Sequence, residues 1–147
     1  MPTGQHVVIL KEKQADRYLP IWIGVFEANA IALKIEGVEP PRPMTHDLLR
    51  NMISELDGRV TRVVINDLRD STFFAQIRVI TGERTLELDA RPSDAIALAL
   101  RVEAPIYVAQ SVLEQAQTIS PDTDDQDEKD KKWFEQLDSE DLGKYKM

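Results

Sequence analysis

Residues 92–106 read PSDAIALALRVEAPI, and residues 27–41 read EANAIALKIEGVEPP. Ala95-Ile96-Ala97-Leu98 repeats Ala30-Ile31-Ala32-Leu33 at an offset of 65, and at the same offset Leu100 answers Ile35 and Pro105 answers Pro40. Self-similarity at one fixed offset points to a duplicated supersecondary unit. The competing reading is that alanine-rich apolar helices resemble one another by composition alone. Alanine is the best helix former, and a helix apolar nearly all round is a buried one. Each copy follows a strand-like run, Tyr18 to Ile23 in the first and Thr85 to Asp89 in the second, and each stops before a proline, as helices do. The predicted unit is therefore strand, turn, buried helix, used twice.

Working outward, His6 to Leu10 reads as a buried strand with Tyr18 to Ile23 as its hairpin partner. Residues 38–46, VEPPRPMTH, form a stiff extended connector, because proline fixes φ and cannot continue a helix. Beyond it Leu48, Leu49, Met52, Ile53 and Leu56 mark one face of an amphipathic helix, with Thr45 expected as its N-cap and Gly58 at its C-terminal end. Val60 to Leu68, Phe73 to Ile80 and Thr85 to Asp89 read as an antiparallel meander. Ile106 to Val108 reads as a short strand, and Ser111 to Ala116 as a short helix capped by Ser111. The fold class expected is α+β: a single domain with a duplicated strand–turn–helix unit and an antiparallel sheet packed with helices.

Composition narrows the function classes. The net charge is −8 over 147 residues, which disfavours capture of nucleic acid by the whole surface. The excess is uneven: from residue 120 onward ten acids face five bases. That segment, 120–147, is expected to be a largely disordered acidic tail, with one apolar turn at Trp133, Phe134 and Leu137, following a domain spanning 1–119. No apolar run is long enough for a membrane helix, and the N-terminus does not read as a signal peptide. The absence of cysteine excludes thiol chemistry and fits a reducing cytoplasm. No GxGxxG or GxxxxGK[ST] pattern is present, which argues against a Rossmann or P-loop nucleotide site.

Three segments carry a family resemblance: RYLPIWIGVFEANAIAL at 17–33, GVEPPRPMTHDL at 37–48 and RPSDAIALALR at 91–101. They resemble the bifunctional nuclease domain family, over roughly residues 3–119. The resemblance implies a single α+β domain that self-associates and cleaves both DNA and RNA. Members usually begin with a further strand ahead of Pro2-Thr3-Gly4-Gln5; either that strand is absent here or the start has been placed too late, and an absent strand would leave a sheet edge open to pairing.

Metal-assisted phosphodiester hydrolysis needs clustered carboxylates and a base or metal-bound water. Glu27, Asp47 and Asp94 each open a helix, Asp89 ends a strand, and His46 stands beside Asp47. Arg42 and Arg91 each precede a proline, a Ser or Thr, and an Asp, so the RPMTHD and RPSD segments are candidates to face each other across one cleft. On this reading His46, Asp47 and Asp94 are catalytic and Arg42 and Arg91 hold phosphate. Asp47, Asp94, Glu27 and Asp89 bind Mg²⁺ or Mn²⁺. The structural reading of the same residues is that acids in first helical turns stabilise helices, and that the arginines tie the two halves together. The runner-up function is a non-enzymatic module for a small anionic ligand or a protein partner.

Overall fold

A computed structural model describes residues 6–13 and 17–116. The acidic tail and the segment ahead of His6 lie outside the described residues. In chain order the elements are β1 (His6–Lys11), β2 (Tyr18–Ile23), α1 (Val25–Ile35), α2 (Thr45–Glu55), β3 (Gly58–Arg69), β4 (Thr72–Thr81), β5 (Arg84–Ala90), α3 (Pro92–Val102), β6 (Ile106–Val108) and α4 (Gln110–Gln115). The class is α+β, as expected.

β1 and β2 form an antiparallel hairpin, and the other strands form a sheet in the order β5-β4-β3-β6. The expected meander is present, but β6 joins β3 in parallel, so this sheet is mixed. Alternation sets its inner face: Val63, Ile65, Ala75, Ile77 and Val79 are buried. Asp70 and Ser71, both at positive φ, make the tight β3–β4 turn. Two central residues at positive φ match the twist of an antiparallel hairpin.

The duplicated unit appears twice. A strand passes through one extended residue, Gly24 or Arg91, into an eleven-residue helix, and those two residues share nearly the same backbone angles. The two helices differ in burial. In α3, Ala95, Ile96, Ala97 and Ala99 are fully buried and Leu98 is 1% exposed, because α3 packs against α1, α2, β3 and β4 together. In α1 only Ile31 is buried, and Phe26 is 82% exposed. The expectation of two buried helices therefore holds for α3 alone.

α2 forms where its periodicity places it, but its apolar stripe faces outward. Leu48, Met52 and Leu56 are exposed, and Ile53 packs on the core. Its ends also differ from expectation. Met44 is the N-cap and Thr45 the first helical residue. Asp57, not Gly58, takes the left-handed position after the helix, at φ 59°. Gly58 instead begins β3, where a Cβ would press on Ile53 and on Val79 at 3.1–3.2 Å. α4 begins after Ala109, so Ser111 is inside the helix rather than its cap.

Candidate functional site

The carboxylates expected to gather metal share one local position. Glu27, Asp47 and Asp94 are each the third residue of their helix, following the extended residues Gly24, Met44 and Arg91. A side chain there turns back toward its own N-terminus, where the helix dipole favours negative charge. Asp47 does so explicitly, its Oδ2 accepting the Met44 N–H at 3.0 Å. The Glu27 carboxylate folds over Gly24 so closely that a Cβ there would collide with it.

The remaining carboxylate oxygens meet arginines and a histidine. Asp47 Oδ1 accepts from Arg101 Nε at 2.8 Å, and the two side chains are 14% and 3% exposed. Arg101 also donates to the carbonyls of Ala97 and Ala30, both at 2.9 Å, so one guanidinium joins α1, α2 and α3. Asp94 Oδ1 meets His46 Nε2 at 2.9 Å, and its Oδ2 accepts from Arg91 at 2.9 Å. Arg91 reaches Glu27 at 3.8 Å. The result is a chain of contacts, Glu27–Arg91–Asp94–His46, across the N-termini of α1, α3 and α2. Burial pushes the Asp94 carboxyl up, but its bonds to Arg91 and His46 outweigh that and leave it below the ordinary range. Burial likewise pushes Asp47 up, and the Met44 N–H and Arg101 more than reverse it.

The RPMTHD and RPSD segments thus meet through the packed His46–Asp94 contact instead of across one open cleft. Two separate clefts flank the contact. The first, of about 320 Å³, is walled by β2, the β3–β4 turn and the start of α3, and includes Trp22, Glu27, Thr72, Arg91 and Ser93. The second, of about 270 Å³, lies under the proline connector and contains Asp47, Arg50 and Arg101. Arg91 and Asp47 therefore belong to different clefts. Arg42 lines neither, and the residue that grips Asp47 is Arg101. Arg101 sits within the repeated stretch, but its register against Ala30 and Asp47 depends on how the helices pack, which no spacing announces. Asp89 pairs across from Gln76, on the sheet face opposite the buried Ala75, Ile77 and Val79, and so does not join the other acids.

A divalent cation does not fit this donor set as arranged. Among the described residues no three His, Asp or Glu side chains come together as a metal site. Asp47 and Asp94 each engage both oxygens with other partners. Among the described residues, too, no helix is long and apolar enough to cross a membrane.

Comparison with known proteins bears on the same segments. Residues 8–121 match the bifunctional nuclease domain. The uncharacterized protein Rv1829 of Mycobacterium tuberculosis is 50% identical over 126 residues, covering 86% of this chain and 75% of that protein. Bifunctional nuclease 1 of Oryza sativa subsp. japonica is 26% identical over 111 residues, covering 73% of this chain and 34% of the rice protein. Bifunctional nuclease 1 of Arabidopsis thaliana is 26% identical over 105 residues, covering 69% of this chain and 32% of that protein. The chain thus spans about a third of these plant relatives. The match covers the duplicated units, the proline connector and every residue of the Glu27–Arg91–Asp94–His46 chain, so the protein belongs to the bifunctional nuclease domain family.

Proposed function

We propose that the chain hydrolyses phosphodiester bonds of DNA and RNA, with little sequence preference, at the first cleft. The observation that carries this reading is the cleft's lining: Arg91, with its side chain 66% exposed, beside Glu27, with Trp22 60% exposed on the wall. Its volume, about 320 Å³, is at the lower end of small-molecule sites and suits a nucleotide. Arg91 binds the scissile phosphate through its fork of N–H donors. Trp22 offers a face on which any base can stack, which gives grip without sequence preference. Glu27 accepts the proton of the attacking water. Asp94 and His46 are positioning residues, the first orienting Arg91 and the second fixing Asp94.

The expected Mg²⁺ or Mn²⁺ requirement is part of what is under test. Arg91 would have to leave Asp94 and Glu27 before either acid could bind a cation, so no step is assigned to a metal. The runner-up, a non-enzymatic binding module, is favoured by one observation: Glu27, Asp47 and Asp94 all already have cationic partners.

The test is cleavage of labelled single- and double-stranded DNA and RNA with Mg²⁺, Mn²⁺ or EDTA, with Arg91→Ala and Glu27→Gln purified identically. Cleavage that falls about 100-fold or more in either variant supports the reading, that being the range of a lost general base. Equal cleavage in all three proteins, or none in any, moves the assignment to the binding module.

Self-association belongs to the same reading. α2 exposes Leu48, Leu49, Met52 and Leu56 along one side, and an apolar stripe of this kind suits a second copy of the chain. Sedimentation of a Leu48→Ser, Met52→Ser variant tests this. A shift to monomer is expected, and an unchanged mass assigns the contact to another surface.

A further inference from the structure

The second cleft is built by a segment of the chain that contributes nothing to the lining of the first. GVEPPRPMTHD is one of the motifs that carry the family resemblance, yet none of its residues lines the first cleft. Val38, Glu39, Pro40, Pro41 and Pro43 instead wall the second, and Asp47 with Arg101 closes it. Prolines have fixed φ and no N–H, and Val38 gives its N–H to the Leu33 carbonyl at 3.0 Å, so this wall is stiff and poor in backbone donors. What recognises a ligand there comes mainly from side chains.

Those side chains are cationic and under-used. Lys34, in the last turn of α1, has no carboxylate within ion-pair distance among the described residues. Arg50 gives Nε and Nη2 to the amide oxygen of Asn51 at 3.2 and 3.1 Å, and it likewise has no carboxylate in ion-pair range. It acts on Asp47 only through space. Asp47 is already neutralised by Arg101, which spends its other bonds on two carbonyls. Among the described residues, Glu39 is the one acid lining the cleft without such a partner. In a protein of net charge −8, Lys34 and Arg50, with no carboxylate partner among the described residues, outweigh Glu39 over an Arg101–Asp47 pair that cancels, which leaves a local excess of positive charge.

We propose that this cleft is a binding site for a small phosphate-bearing ligand, separate from the cleavage cleft. Arg50 would offer its remaining N–H groups and Lys34 a mobile point charge, a pairing that suits phosphate oxygens. Arg101 cancels the charge of Asp47, so the floor does not repel an anion, and the proline wall holds its shape before the ligand arrives, which reduces the ordering cost of binding. The volume of about 270 Å³ admits a phosphate with a modest organic group, not a folded polymer. The first residue of Arg91's helix and Arg101 are nine residues apart, about 14 Å along the axis, so one small ligand does not reach both clefts.

The test is isothermal titration with three probes: inorganic pyrophosphate, a nucleoside 5′-monophosphate, and an oligonucleotide with and without a 5′-phosphate. The proteins are wild type, Lys34→Ala/Arg50→Ala and Arg91→Ala, each checked for folding by circular dichroism. Expected is binding of at least one probe by wild type, weakened about tenfold or more in the double variant and kept in Arg91→Ala. The probes separate a free nucleotide or phosphate from the phosphorylated end of a strand. No binding of any probe overturns the proposal, as does binding that the double variant leaves intact or that Arg91→Ala alone abolishes. Because the readout is binding and not cleavage, its failure is distinguishable from failure of the nuclease reading.

Discussion

A single guanidinium holds three helices together. Arg101 is 3% exposed in its side chain, and it meets a carboxylate from α2, a carbonyl from α1 and a carbonyl from its own helix. Replacing it removes the partner of a carboxylate that is itself mostly buried, and an orphaned buried charge is costly. Arg101→Met is expected to cost about 3–5 kcal/mol in urea unfolding. Arg101→Lys should recover little of this, because an ammonium has no fork to reach all three acceptors. Arg91→Met, at an exposed position, should cost under about 1 kcal/mol while removing the proposed phosphate anchor. Equal costs at the two sites would contradict the difference in burial. The same contrast explains what the sequence conceals. Arg91 is conspicuous in RPSD, whereas Arg101 sits in an apolar run where its partners, separated by 54 and 71 residues, leave no local mark.

At the scale of elements, identical words have unequal surroundings. AIAL in α3 is buried throughout, while in α1 only Ile31 of the same four is in the buried class. Ile96→Ala should therefore cost about 2–5 kcal/mol, the usual penalty for emptying a packed site. Leu48→Ser with Met52→Ser, on the outward stripe of α2, should change stability by about 0.5 kcal/mol or less per site in the monomer. Thermal unfolding at low protein concentration, where association is absent, checks both. A large loss in the α2 variant would show that its stripe packs within the chain. The amphipathic period of α2 was legible from the sequence, and the helix is present where the period put it. The direction of the stripe was not, because periodicity identifies an apolar face without saying which neighbour covers it.

For the whole molecule, acid sensitivity follows from the two carboxyls tied across helix ends. Asp47 and Asp94 are both held below their ordinary value of 3.8. A depressed folded value means that the stabilisation is fully present above the unfolded value and is lost as pH falls through the folded one. Unfolding free energy measured from pH 7 to pH 2 should therefore hold until about pH 4 and fall below it. Asp47→Asn should lower the plateau and flatten the fall. A fall of unchanged steepness in that variant would show that other carboxyls control acid unfolding. The sequence by itself determined the α+β class, the twice-used strand–turn–helix unit, the meander and the family, because these rest on periodicity, turn chemistry and long contiguous motifs. It also marked Glu27, Asp47 and Asp94 as acids opening helices, which is a local property. Only the tertiary structure decided that those acids pair with His46, Arg91 and Arg101, that Asp89 faces the other side of the sheet, and that the expected single cleft is two. Those outcomes depend on how helices remote in sequence align across α3, and side chains so brought together carry no spacing of their own.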